Sequence, residues 1–205
     1  ALWSTFLVVS ATPQQLMHKA QLMSLLPENP YARPDKQTAK SVSTAVLKLL
    51  DSTPIASSAD SPINGDWLLA YSDAPDITTL DDSPVADVVR IGQSIDDERI
   101  ANVIEWRPAL RLGLVADDLV QQRVLVQYSR VGSTYELKLS GAQLRPCRVL
   151  GVELGALPTL GGEGLFTLPF GSFDLLYNDG DFRIVRTQQG YLGINRRIED
   201  GAWDR

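Results

Sequence analysis

The sequence predicts a mainly β fold, an antiparallel meander or barrel preceded by N-terminal α-helices. Three observations carry that reading. Apolar residues recur at helical spacing up to about residue 51 and at every second position beyond about residue 60. The later segments are short, numerous and separated by turn residues, with no helices alternating between them, which argues against a parallel sheet. One link, "NDGD" at 178–181, is a strong tight-hairpin signal. The chain therefore divides into an N-terminal extension with helices (1–60), a β domain (61–198) and a C-terminal tail (199–205).

The first helix opens at "TPQQLMHKAQLMSLL", with Thr12 as N-cap and Pro13 at the first helical position. Leu16, Ala20, Met23 and Leu26 recur at helical spacing and form its expected apolar face. "PENPYARP" breaks it, because prolines so closely spaced cannot continue a helix. A second helix resumes in "DKQTAKSVSTAVLKLLDS", capped by Asp35, with Val42, Ala45, Val46, Leu49 and Leu50 on one face. The polar connector "TPIASSADSP" marks the boundary near residue 60.

The strands follow in order. "WLLAY" places Trp67, Leu69 and Tyr71 on one face, and "RIANVIEW" does the same for Ile100, Asn102, Ile104 and Trp106. "RVLVQY" gives Val124, Val126 and Tyr128. "TYELKLS" sets Tyr135, Leu137 and Leu139 against Glu136 and Lys138. "FDLLY", "DFRIVR" and "GYLGINRR" end the series. Residues 151–171, "GVELGALPTLGGEGLFTLPFG", are Gly- and Leu-rich and nearly uncharged. They read as a long apolar loop that needs a cover or a ligand.

Composition narrows the function. The 205 residues are 44% hydrophobic and 21% charged, which argues against disorder. A net charge of −6 argues against a nucleic-acid binder and against purely electrostatic attachment to anionic lipid. The single cysteine, Cys147, excludes an intrachain disulfide. The apolar run "FLVVSA" is too short to span a bilayer. The chain opens on Ala1 rather than Met, so a processed start is expected, and Leu2, Trp3 and Phe6 could rest on a membrane surface or on a protein.

No catalytic or metal constellation stands out. One histidine, His18, and one cysteine cannot build a zinc cluster, and His18 reads as a surface or capping residue. No G-x-S-x-G elbow exists, and "GGEG" completes neither phosphate-loop pattern. The acidic stretch holding Asp73, Asp76, Asp81 and Asp82 lacks the ligand spacing of a calcium loop and reads as solvated. A β-rich body with alternating aromatic and aliphatic faces suits a container or a docking module. No catalytic residue, no metal ligand and no required cofactor is assigned.

Three blocks carry a resemblance. "LLDSTPI" followed by "INGDWLLAYSD" joins a helix, a proline-containing linker and N-G-x-W, with a tyrosine four residues after the tryptophan. "VRIGQSIDDERIANVIEW" places Gln93, Ile95 and Asn102 at characteristic intervals. "FDLLYNDGDFRIVRTQQGYLGINRR" supplies Tyr177, Asp179, Asp181, Arg183, Ile184, Arg186 and Gly190. Over residues 40–198 the chain resembles the plastid lipid-associated proteins, also called plastid fibrillins. The resemblance implies a lipocalin-like β-barrel with N-terminal helices. It also implies a chloroplast location, peripheral on thylakoid or plastoglobule. The ligands it implies are apolar: lipid, carotenoid, chlorophyll or quinone.

In lipocalin-like barrels a G-x-W opens the first strand and the tryptophan plugs the closed end under a basic side chain from the last strands. Gly65 and Trp67 match, with Arg183 or Arg186 as the cation. The D-x-D-x-R-I string reads as a fold signature, Asp179 and Gly180 making the turn and Asp181 pairing with Arg183. The candidate ligand wall is Leu69, Tyr71, Ile100, Ile104, Val124, Val126, Tyr135 and Leu137. Alternation alone leaves open whether they face a cavity or a filled core. Departures from the family pattern fall at Asn178, at Thr187 after Arg186, and at Gly193 and Asn195, where a gap or polar spot in the wall is expected. Two functions follow: a binder of apolar molecules or thylakoid lipids, and an accessory subunit docked on a photosynthetic membrane complex.

Overall fold

The computed structural model describes residues 11–53, 62–84, 86–108, 118–149, 152–154 and 159–204. The helices begin where their caps place them. Helix α1 (Pro13–Ser24) starts behind Thr12, whose Oγ1 accepts from the Gln15 backbone N–H at 3.2 Å. Helix α2 (Lys36–Asp51) starts behind Asp35, whose carboxylate accepts from the N–H groups of Gln37 and Thr38. Val42, Ala45, Val46 and Leu49 are buried along α2, as its periodicity predicts.

The face of α1 differs from expectation. Leu16, Ala20 and Met23 are exposed, while Gln15 and Leu22 are buried. The helix is turned by about one residue, roughly 100°. Its polar contacts explain why. Lys19 pairs with Asp179 at 2.5 Å and His18 Nδ1 hydrogen-bonds Ser52 Oγ at 3.1 Å, so those two side chains face the body of the protein. Leu22 lies on their side of the helix and enters the core.

The β domain has nine described strands: β1 (Gly65–Ser72), β2 (Ala86–Ile95), β3 (Arg99–Pro108), β4 (Leu119–Val131), β5 (Thr134–Val149), β6 (Val152–Glu153), β7 (Leu160–Asn178), β8 (Phe182–Thr187) and β9 (Leu192–Arg197). A short helix, α3 (Pro75–Thr78), and a 3₁₀ turn (Leu80–Asp82) join β1 to β2. The strands run in the order β4-β3-β2-β1-β9-β8-β7-β5-β6. Because β4 also pairs with β5, the antiparallel sheet closes into a ring. Closure removes the unpaired edges that an open sheet must protect.

The two faces of the ring do different work. Trp67, Ile95, Ile100, Val126, Tyr135, Phe173 and Leu175 form one cluster although they come from β1, β2, β3, β4, β5 and β7. Residues so far apart around the ring can meet only inside it. The outer face holds Tyr71, Tyr177, Phe182, Ile184, Leu192 and Ile194, which pack against Leu22 of α1 and the buried stripe of α2.

Two expectations are corrected here. Tyr71 does not share a face with Trp67 and Leu69. Pairing jumps from Leu69↔Asn195 to Tyr71↔Ile194, so Ala70 is an extra residue and Tyr71 turns outward. A matching bulge between Leu175 and Tyr177 turns Tyr177 outward as well. Residues 151–171 are not a long loop: most of their described part is strand, with Gly161 paired to Gln143 and Gly162 to Ala142. The glycines serve close approach. A Cβ on Gly141 would overlap the Gly162 carbonyl, and one on Gly161 the Ala142 carbonyl. Strand periodicity is lost there because β5 and β7 press together backbone to backbone.

The last residues are also packed. Trp203 is 0% exposed and lies on the outside of β2, where a Cβ on Gly92 would overlap its ring. Arg90 stacks 4.5 Å from the Trp203 ring and pairs with Glu105, and Gln121 Nε2 bonds Glu105 at 3.1 Å and the Trp203 carbonyl at 3.0 Å.

Candidate functional site

The inside of the ring is the candidate site, and Trp67 anchors it. Its Nε1–H donates to the Ile63 carbonyl at 2.7 Å, fixing the ring as the chain enters β1. Arg183 comes from β8 and lies across that ring, with its guanidinium carbon 4.6 Å from the centroid; Arg197 lies further out at 5.9 Å. Of the two cations the sequence offered, Arg183 is the one on Trp67. Gly65 takes φ +116°, and a Cβ there would overlap the Arg197 guanidinium.

Arg183 is 0% exposed. One nitrogen, Nη2, donates to Gln93 Oε1, and Gln93 Nε2 donates in turn to Asn102 Oδ1 at 2.7 Å. Its Nε and Nη1 have no acceptor among the described residues. Asp181 is no partner: it is exposed at the hairpin while Arg183 points inward, so the expected pairing across the hairpin is not formed. Burial pulls the guanidinium down to about 9, which leaves it charged at neutral pH. A buried cation without a counter-ion is costly, and stacking on Trp67 offsets part of that cost.

Seven of the eight candidate wall residues share the inner face with Trp67. Ile100 pairs with Val126 and Asn102 with Val124, so Ile104 lies on the same side by alternation. Tyr135 and Leu137 join the Trp67 cluster, as does Val124. Leu69 and Ile104 belong to a second inner cluster with Ile91, Val88, Ile77 and Leu80. Tyr71 is the exception, for the reason given above. Tyr31 closes over the Leu69 cluster, its hydroxyl accepting from the Ile91 N–H at 3.0 Å. Sequence reasoning missed Tyr31; its only signal was a lone aromatic inside a proline-rich connector.

Exposure divides the inner face of β3 and β4: Ile100 and Val126 are buried, as in a filled ring, and the stretch beyond them is not. The outward-facing Val103, Glu105, Gln121 and Leu125 are buried. The inward-facing Asn102, Ile104, Trp106, Gln122 and Val124 are only half-buried. Solvent thus reaches the inner side of this wall beyond Ile100 and Val126.

The remaining signature residues hold the frame. Asp179 Oδ1 accepts from the N–H groups of Asp181 and Phe182, shaping the β7–β8 turn as the sequence predicts. Its Oδ2 receives the Tyr177 hydroxyl at 2.8 Å and the Lys19 ammonium. Burial pushes the Asp179 carboxyl up, but these hydrogen bonds outweigh it and hold the group below the usual carboxylate range. Arg186 pairs in register with Asp174 and Leu192, and Gly190 takes φ +93° in the β8–β9 turn. Thr187 Oγ1 accepts from the Tyr191 N–H at 3.2 Å. The wall has no gap at Gly193, where a Cβ would lie only 3.1 Å from Val185 Cγ2. Asn195 is buried between Leu69 and Arg183 in register, a polar spot on the inner wall.

Among the described residues no cluster of His, Cys, Asp and Glu could hold a metal. Cys147 is buried, and burial pushes its thiol up. Apolar side chains of β5 and β7 are exposed at two places. Leu144 and Leu160 are paired across β5 and β7 yet exposed, and Leu168 and Phe170 are exposed further along β7. A recess of about 480 Å³ lies at the second place, lined by Leu137, Leu168, Pro169 and Gln188 among others. No helix is long and apolar enough to cross a membrane among the described residues. No family model, no curated protein and no solved structure matches this chain.

Proposed function

We propose that the protein is a non-enzymatic binder of apolar small molecules, with the ring acting as a lipocalin-like barrel. The observation that carries this reading is the half-buried inner wall of β3 and β4, where Ile104, Trp106 and Val124 face inward and still meet solvent. A ring of about eight strands encloses room for one small ligand at most. Tyr31 and the α3 segment cover the Leu69 end, and Trp67 with Ile63 occupies the other cluster. The resemblance to plastid lipid-associated proteins supports lipid, carotenoid, chlorophyll or quinone as ligand classes and a chloroplast setting. Native mass spectrometry of protein purified from its source is the test. A stoichiometric apolar ligand is expected; protein that is ligand-free and does not bind plastid lipid extract in vitro would overturn the reading.

A second reading is favoured by the exposed side chains of Leu144, Leu160, Leu168 and Phe170. Exposed apolar side chains on one strand pair suit docking on a membrane protein complex. The protein would then be an accessory subunit of a photosynthetic complex. Migration as a free monomer in native gels of mildly solubilised thylakoids would sink it.

A further inference from the structure

We propose that the inside of the ring receives an apolar chain bearing a single carboxylate, which Arg183 binds in place of the Gln93 side-chain oxygen. The inference rests on the binding reading above and names the ligand's head group.

The argument starts from an imbalance. Arg183 is withdrawn from water, carries one positive charge and has two nitrogens with no acceptor among the described residues. Buried polar groups are nearly always satisfied, and an exception asks for an explanation. Among the described residues no carboxylate contacts it. Its neighbours are the Trp67 ring, the neutral Gln93 amide and, at electrostatic range, Tyr135. Gln93 is therefore a weak acceptor occupying the place of a strong one. A carboxylate would replace that neutral hydrogen bond with charge-assisted ones, which are shorter and roughly twice as strong.

The path to the site is the same half-buried wall. Gln93 and Asn102 are bonded to each other and both are only half-buried. Their side chains can turn aside toward solvent, and this uncovers Arg183. Beyond Asn102 the inward surface continues through Ile104 and Val124, which suits a hydrocarbon chain. One guanidinium balances one negative charge. A phosphate head near two negative charges would stay uncompensated in a low-dielectric interior, so a carboxylate fits better.

The test compares dodecanoate, dodecanol and methyl dodecanoate by isothermal titration on the wild-type protein. The acid is expected to bind about tenfold or more tightly than either neutral ligand. The net charge of −6 disfavours an anion at large, so such a preference must arise locally. Equal affinity for all three overturns this inference but leaves the binding reading intact. Failure of all three to bind counts against both. In Arg183→Met the preference for the acid should vanish while dodecanol affinity is kept. If the variant does not fold, the wild-type comparison still decides. If it folds and keeps the preference, Arg183 is not the receptor.

Discussion

The guanidinium carbon of Arg183 lies 4.6 Å from the Trp67 ring centroid, both side chains fully out of water and neither beside a carboxylate of the described residues. The two halves of this contact should respond differently to mutation. Trp67→Ala removes a large buried ring and should cost about 3–5 kcal/mol. Arg183→Met removes an unbalanced cation while keeping an apolar stem, so it should leave stability within about 1 kcal/mol of wild type or raise it. Urea denaturation of the two variants checks both values. A loss of several kcal/mol in Arg183→Met would mean that the cation is better balanced than its neighbours indicate.

The Tyr71 hydroxyl is buried with no partner among the described residues. Burial, then the charge of Asp73, pushes its ionisation up to about 12. A tyrosine normally ionises near pH 10. Its raised folded value means that the contribution is fully present below pH 10 and is lost as pH climbs toward about 12. Stability should therefore fall through that alkaline window. Tyr71→Phe should stabilise the protein by about 1 kcal/mol near neutral pH and shallow the alkaline fall. Thermal melts between pH 7 and pH 11 measure both, and a variant less stable than wild type would contradict the assignment.

Asp179 fastens α1 to the β7–β8 hairpin through Lys19, and shapes the turn through two backbone N–H groups. Its carboxyl is held below the usual range, so its contribution is present above about pH 4 and lost as pH falls through the folded value. Asp179→Asn should cost about 1–2 kcal/mol at neutral pH and less under acid, where the wild type has lost the same contribution. Chemical denaturation at neutral and acid pH separates the two. A pH-independent loss would place the effect in the turn rather than in the ion pair.

Trp203 and Gly92 fit one another on the outside of β2, and Arg90, Glu105 and Gln121 meet beside them. Trp203→Ala should cost about 3–5 kcal/mol and leave the Glu105 network open to water. Gly92→Ala should destabilise too, because its Cβ would overlap both the Trp67 carbonyl and the Trp203 ring. Hydrogen exchange at the amides of β2 and β3 should rise in both variants. Unchanged protection would show that the C-terminal segment is dispensable.

Much of this protein is legible in its sequence. Thr12 and Asp35 announce helix starts through their side-chain oxygens, and the stripe on α2 names its buried face. Alternation assigns Ile100, Asn102, Ile104, Val124 and Val126 to one side of the sheet, and Asp179 with Gly180 marks the hairpin. These features are local: each depends on a few neighbouring residues and a fixed period, so the chain itself determines them.

The tertiary structure decided the rest. The bulge at Ala70 moved Tyr71 from the expected wall to the helix-facing side, since one inserted residue reverses a strand's faces. Contacts with Asp179 and Ser52 turned α1 about one residue away from its own apolar stripe. The glycine-rich stretch 160–164 became strand beside β5, close enough that Gly141 and Gly161 admit no Cβ. Arg183 rather than Arg186 took the place on Trp67, and lost its hairpin partner, because β8 lies next but one to β1 across β9 in the closed ring. Each of these outcomes depends on which distant segments meet, and a local period carries no information about that.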